Sequence, residues 1–326
     1  MLLILSEEKD LTTNEVIDWL FLYNIDFIRI NKEDDIIIKE IRLNSGKVEC
    51  IKLFIENRKI DIDLVNIKAY WYRRGDFSFN YKVPLINQKG FLYEIENYLN
   101  YEKYKVLEII HQYLKEVKGI GCIYDDARNK LIHLQNAASL GIKVPDTMIT
   151  SNKSSLLTFK KEIKSLITKA VGEGISFFAS EFKILEYTSL INETKQIPET
   201  FFPSLIQENI EKKYDIRIFY LDCKFYASAI ISQNDNQTTI DFRKYNMEKS
   251  NRVIPFKLPD YIEMQLVKLM DLLNYKSGSI DMIYTKEKEY IFLEINPVGQ
   301  FAQVSEPCNY YLEKKVAEYF NDILNV

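Results

Sequence analysis

Apolar and polar positions alternate along this chain in two rhythms, one of period two and one of helical spacing. Met1 to Ser6 is an apolar run, Asp26 to Ile30 is another, and Val16, Ile17, Trp19 and Leu20 lie between them at helical spacing. Thr12-Thr13-Asn14-Glu15 reads as a capping box opening that helix, which runs through Leu22. The pattern predicts a β-α-β opening. Ile36 to Leu64 alternates in short runs with a turn at Asn57-Arg58, predicting extra strands. Gly90 to Val117 is a long helical pattern carried by Leu92, Ile95, Leu99, Leu107, Ile110 and Leu114, and Gly119 ends it.

Ala127 to Leu140 predicts a helix, stopped by Gly141 and Pro145. Leu166 to Val171 reads as a strand before a glycine turn, and Ile175 to Leu190 as further strand rich in aromatics. Ile218 to Ser232 predicts a hairpin turning at Asp222-Cys223. Leu258-Pro259-Asp260 opens a helix with Ile262, Leu266, Leu269, Met270 and Leu273 on one face, and Asn309 to Leu324 closes the chain as an amphipathic helix. Strands and helices interleave throughout, so the fold class is α/β (α+β). A chain of 326 residues has room for two or three cores. The first division is expected near Gly119.

Chemistry concentrates near the end. The apolar strand Tyr290-Ile291-Phe292-Leu293 runs into Glu294 and Asn296 and is stopped by Pro297, which cannot donate to a ladder. Upstream, Gly278-Ser279-Ile280-Asp281-Met282-Ile283 is a second apolar strand carrying one carboxylate. The polar Thr285-Lys286-Glu287-Lys288 between them predicts a hairpin. Asp281, Glu294 and Asn296 then meet on one face, since residues two apart on a strand point the same way. Three oxygen ligands at a strand end suit Mg²⁺.

Composition removes other classes. Hydrophobic residues make up 47% and charged residues 28%, an ordinary globular balance. A net charge of −4 argues against nucleic acid as partner, and no apolar run approaches a membrane span. The four cysteines, Cys50, Cys122, Cys223 and Cys308, are far apart and form no CxxC, which fits a reducing cytoplasm. With only His111 and His133, a histidine-based metal site or hydrolase is disfavoured. Arg73 and Arg74 follow a strand and precede Gly75, a pattern able to hold an anion beside a cleft.

The Asp281…Glu294-Ile295-Asn296-Pro297 arrangement resembles the metal site of the ATP-grasp superfamily. Asn129-Lys130-Leu131 through Leu140-Gly141-Ile142-Lys143-Val144-Pro145-Asp146-Thr147 is similar to the segment leading into that fold's lid-like subdomain. The resemblance implies that Lys130 reaches phosphate and that Lys169 binds α- and β-phosphates. It makes the Gly172–Gly174 turn a flap over the triphosphate; no Walker motif is present. Gln207-Glu208-Asn209-Ile210 resembles the hinge whose backbone pairs with adenine. Asp215, of Asp215-Ile216-Arg217, stands where the family places the acid that binds ribose. The implied architecture is an N-terminal pre-ATP-grasp domain (1–118), a central lid subdomain (119–206) and a C-terminal domain with the metal site (207–326).

Trp71-Tyr72-Arg73-Arg74, Asp241-Phe242-Arg243, Gly278-Ser279-Ile280-Asp281-Met282 and Phe292 to Phe301 further resemble the ribosomal-peptide maturases of this superfamily. These are the graspetide synthetases, including the microviridin-type and grasp-with-spasm groups. What this implies is an ATP- and Mg²⁺-dependent ligase. It would phosphorylate Asp or Glu side chains of a precursor peptide, leader plus core, and join them to Ser or Thr hydroxyls or Lys amines as macrocyclic esters or amides. Arg243, with Arg217 helping, is expected to stabilise the charge at the acyl-phosphate, a role suited to a planar guanidinium. Arg73 and Arg74 are expected to orient the incoming carboxylate. The leader is expected to dock on Ile175 to Glu193, near Glu173, Glu181, Glu186 and Glu193. A homodimer or higher homo-oligomer in the cytoplasm completes the expectation. Two rivals stand beside it: a glutamate-ligase-like enzyme acting on a small substrate or protein C-terminus, and a non-catalytic ATP-binding scaffold.

Overall fold

The computed structural model describes residues 1–79, 89–126, 129–172, 176–178, 183–185, 187–233, 240–241 and 251–325. The chain forms two compact units, Met1–Asp126 with Tyr311–Val326, and Ala127–Tyr310. In the first unit β1 (Leu2–Ser6), α1 (Leu11–Leu22) and β2 (Phe27–Asn31) make the β-α-β opening. The cap of α1 lies upstream of the expected Thr12. Asp10 accepts from the Thr13 amide at 3.3 Å, so the helix starts at Leu11, ahead of the threonine pair, and Thr13 is buried within it. β3 (Ile36–Asn44), β4 (Lys47–Ile55), β5 (Ile60–Asp63), β6 (Ala69–Tyr72), α2 (Lys89–Lys115), β7 (Gly119–Ile120) and α3 (Ile123–Asp126) follow. β2-β1-β6-β7 is a parallel sheet, and β3-β4-β5 a separate antiparallel one. β1 and β6 are buried along their whole lengths, as continuous apolar runs in a parallel sheet should be.

The second unit opens with α4 (Lys130–Ser139), β8 (Thr147–Asn152), α5 (Lys153–Glu162) and β9 (Leu166–Lys169). Within the expected stretch from Ile175 to Leu190 the described residues form β10 (Ser176–Phe178), β11 (Lys183–Leu185) and β12 (Ser189–Leu190). Then come β13 (Thr200–Glu208), β14 (Lys212–Leu221), β15 (Lys224–Ile231), β16 (Arg252–Phe256), α6 (Asp260–Leu272), β17 (Ser277–Thr285), β18 (Tyr290–Asn296) and α7 (Ala302–Cys308). β12-β9-β13-β8 is an antiparallel sheet on which α5 packs through Leu156, against Leu166 and Ile206. β10 and β11 pair as a hairpin.

The larger antiparallel sheet runs β16-β15-β14-β17-β18. Asp222 and Cys223 both adopt positive φ in the tight turn between β14 and β15, as a two-residue hairpin needs. Ile216, Ile218, Ile280, Met282, Phe292 and Ile295 point to one face, where α4 and α6 cover them with Leu134, Ala137, Leu266, Leu269 and Met270. Alternation along β14 therefore turns Asp215 and Arg217 to the other face. No described helix is long and apolar enough to cross a membrane. The closing helix, α8 (Leu312–Asn325), belongs to the first unit, where Phe320 lies against Trp71 at 5.9 Å between ring centroids.

Candidate active site

A pocket of about 240 Å³ opens in the second unit on the polar face of the larger sheet. Its floor is set by register. Arg217 on β14 stands opposite Asp281 on β17, and Asp281 stands opposite Glu294 on β18. Next along, Ser279 pairs with Asn296. Strict period two would put Glu294 on the face of Phe292, in the core. A bulge prevents this: Asp281 pairs with Glu294 but Met282 pairs with Phe292, leaving Leu293 as the extra residue. Phe292 is fully buried in the core while Glu294 lines the pocket, the re-aiming that bulges provide beside active sites.

The turn after β18 is tied beneath the site. Asn296 Oδ1 accepts from the Gly299 amide at 3.3 Å, and Ser279 donates to the Gln300 carbonyl at 2.8 Å. Gly299 has φ +66, which strains any L side chain, and a Cβ there would sit tightly, 3.3 Å from the Gly278 Cα and the Phe219 ring.

Asp281, Glu294 and Asn296 all line the pocket, together with Lys130, Lys169, Asp215 and Arg217. Lys130 Nζ lies 3.1 Å from Glu294 Oε2. Arg217 donates from Nη1 to both Asp281 oxygens at 2.8 and 2.7 Å, and its buried Nε has no hydrogen-bond partner among the described residues. Burial pushes the Asp281 carboxyl above the ordinary range; Arg217 opposes this and Glu294 adds to it. A divalent cation would reverse that direction. Among the described residues no group of three His, Cys, Asp or Glu side chains could hold a metal by itself. Two carboxylates and an amide oxygen, beside Lys130 and Lys169, nevertheless fit Mg²⁺, which draws on phosphate oxygens and water for the rest.

Asp215 is buried. Its Oδ1 accepts from Lys212 Nζ at 2.8 Å and its Oδ2 from the Ser232 hydroxyl at 2.7 Å. Burial pushes its carboxyl up, with Lys212 and Ser232 opposing. Lys212 also donates to the Ile240 carbonyl at 3.3 Å, and the neighbouring Asp241 accepts from the Thr188 amide at 3.0 Å. Asp241 and Thr188 line the pocket too. Lys212, Ser232, Thr188 and the pocket-lining Gln303 escaped the sequence reading. Lys212 stands between Glu211 and Lys213, so its local sequence reads as an exposed charged run and carries no mark of burial.

The hinge residues behave differently. Glu208, Asn209 and Ile210 do not line this pocket, and the Glu208 and Asn209 amides donate to the carbonyls of Asp146 and Ser165 at 2.8 and 2.9 Å. Gly172 has open space at its Cα. Gly174, Arg243, Glu173, Glu181 and Glu186 lie outside the described residues; Glu193 is exposed. Arg73 and Arg74 belong to the first unit. Arg73 is buried and pairs through Nε with Asp10 Oδ2 at 3.0 Å, while Arg74 pairs with Glu7 at 3.1 Å and is the more exposed. Gly75 supports that turn at φ +78, with Ser6 O only 2.8 Å from where a Cβ would be.

The family model of the RimK-like ATP-grasp domain matches residues 127–320. The alpha-aminoadipate–LysW ligase LysX of Sulfolobus acidocaldarius is 26% identical over 209 residues, 59% of this chain and 70% of that protein. Two solved structures are similar over nearly the whole length. The Chryseobacterium gregarium RiPP-associated ATP-grasp ligase, in complex with ADP and a leader and core peptide, has TM-score 0.79 at 23% identity, covering 99% of this chain and 96% of that one. The macrocyclase MdnC of Microcystis aeruginosa, bound with precursor peptide MdnA, has TM-score 0.74 at 22% identity, covering 100% of each. With more than half of its length matched by the domain model, and with the pocket's carboxylates and cations inside that match, the chain belongs to the RimK-like ATP-grasp family: it is an ATP-dependent ligase with ATP and Mg²⁺ as cofactors.

Proposed function

We propose that the chain is a peptide macrocyclase. It activates Asp or Glu side chains of a ribosomal precursor peptide as acyl-phosphates and joins them to Ser or Thr hydroxyls, or Lys amines, to close ω-ester or amide rings. The observation that carries this reading is extent. The RimK-like model accounts for residues 127–320, whereas the likeness to two peptide-bound ligases also takes in the first unit.

Bound Mg²⁺ supplies charge neutralisation at the phosphate oxygens. Asp281, Glu294 and Asn296 would hold it, and Lys130 and Lys169 would contact phosphates, since all five share the pocket. Arg217, fixed on Asp281, and Arg243 would meet the charge that grows as phosphate is transferred; phosphoryl transfer asks for positioning and charge more than for a nucleophile. Asp215 is read as the ribose contact and Glu208 to Ile210 as the adenine edge, the latter through the carbonyls and the Ile210 amide. Arg73 is held by Asp10, so Arg74 is the better placed of the pair to receive a carboxylate. The Ile175–Glu193 segment is kept as the leader dock. A cytoplasmic location suits four cysteines that are all free, three of them buried. Self-association is read from the exposed Tyr93, Tyr98, Tyr101 and Tyr104 of α2.

The sequence likeness to LysX favours a second reading, a carboxylate–amine ligase acting on a small acid or a protein carrier. One experiment separates the two. The purified chain is incubated with ATP, Mg²⁺ and the short peptide encoded beside its gene, the acceptor acids carrying ¹⁸O. The expected result is loss of one water per ring, with label appearing in released phosphate. An unmodified peptide, with ATP turned over on a free amino acid instead, overturns the macrocyclase. Rings that close while all label stays in the peptide overturn the acyl-phosphate.

A further inference from the structure

Both carboxylates set to hold the metal are already in ion pairs with residues set to hold phosphate. Lys130 Nζ is 3.1 Å from Glu294 Oε2, with side chains 24% and 23% exposed. Arg217 is on Asp281 at 2.7 Å, with side chains 12% and 17% exposed. The two pairs differ in what they can release. Arg217 projects from the middle of β14, between β15 and β17, directly opposite its partner, and engages both carboxylate oxygens. A carboxylate has about four lone-pair sites, so Asp281 can keep Arg217 and still accept a cation. Lys130 is the first residue of α4 and meets Glu294 Oε2 from the helix start. Its ammonium is a point charge on a flexible stem and can be re-aimed without moving the helix.

We propose that Lys130 is an exchange cation. At rest it neutralises Glu294; when metal and nucleotide enter together, Glu294 passes to the metal and Lys130 passes to the phosphates. Metal arriving alone must compete with Lys130 for the same carboxylate, and nucleotide arriving alone finds its lysine held. Each ligand therefore frees the group the other needs, which is a coupling between two sites and is reciprocal by linkage. The pocket becomes selective for the pair over either component, so unproductive occupancy by metal-free nucleotide is suppressed.

This rests on the ATP and Mg²⁺ site and is independent of the peptide as substrate. Its test is binding by calorimetry, with Mn²⁺ alone and with ADP alone in chelator. Lys130→Met should tighten Mn²⁺ by roughly fivefold while weakening metal-free ADP. Glu294→Gln should do the opposite, tightening metal-free ADP by a similar factor, because Lys130 is set free, while weakening Mn²⁺. A purely structural role would weaken both ligands in both variants. Lys130→Arg keeps the pair and should leave Mn²⁺ affinity unchanged. Mn²⁺ affinity that is unchanged or lower in Lys130→Met, or metal-free ADP affinity that is unchanged or lower in Glu294→Gln, overturns the exchange. If the unmodified chain binds neither Mn²⁺ nor ADP, the site assignment falls with it.

Discussion

Lys212 shows how much a single buried charge controls here. Its side chain is only 7% exposed, and it compensates an Asp215 carboxylate that burial alone disfavours. Removing one partner of a buried pair leaves the other charge uncompensated, at a cost of about 3–5 kcal/mol. Lys212→Met should therefore lower the melting temperature markedly at neutral pH, and adding Asp215→Asn should recover much of the loss. The pH dependence has a definite sign. The folded-state pKa of Asp215 is raised, so the group's favourable contribution is present below its unfolded pKa and is lost as pH rises through the folded one. Without Lys212, the largest opposing influence, that shift grows. The melting temperature of Lys212→Met should then climb, relative to the unmodified protein, as the solution is acidified toward the unfolded carboxylate range at about pH 4. A variant that tracks the parent across that range would show that Asp215 is not the titrating group. Lys212 also illustrates what sequence conceals at this scale: Ile240, whose carbonyl it meets, and Ser232, which shares Asp215 with it, are distant in the chain, and nothing in their identity announces the meeting.

At the scale of elements, the β17–β18 hairpin was the most legible part. Asp281, Glu294 and Asn296 stand on paired strands as two apolar runs around a polar turn require. The bulge at Leu293 was not legible, because an alternating pattern carries no mark for an inserted residue. Nor was α5, whose one buried residue, Leu156, gives a helix no apolar stripe to read, or α7, which holds Pro307 inside it. α4 was expected from Ala127; among the described residues it runs from Lys130, and its cap explains why. Asn129 has extended backbone and accepts from the Leu131 amide at 2.8 Å, which fixes the start of the helix immediately before Lys130. A lost cap costs about 1 kcal/mol and loosens the first turn. Asn129→Ala should lower the melting temperature slightly and weaken ATP binding, whereas Asn129→Asp should preserve both. Unchanged ATP affinity in Asn129→Ala would mean that the cap does not position Lys130.

At the scale of the whole molecule, the sequence marked helices and strands but not which core each joins. α8 alternates its faces clearly enough to be expected as a helix, yet nothing in that pattern says that the last helix belongs with the first strands. The reason lies in particular contacts: Phe320 and Val316 are fully buried, Phe320 lies against Trp71 of β6, and Tyr319 donates to the Gly119 carbonyl at 3.2 Å. The core of the second unit is built separately, with Leu266 and Leu269 of α6 fully buried against the larger sheet. Truncating a buried Phe costs about 3–5 kcal/mol and a buried Leu about 2–5 kcal/mol, each enough to open most of a domain's stability. Two variants then test whether the units are distinct cores. Phe320→Ala should make limited proteolysis begin within residues 1–126, although the substitution lies some two hundred positions away. Leu266→Ala should make it begin within residues 127–310, with the first unit persisting longer. Fragments mapped by mass spectrometry decide the matter: if Phe320→Ala is cut first in the second unit, α8 is not part of the core that holds β1 and β6.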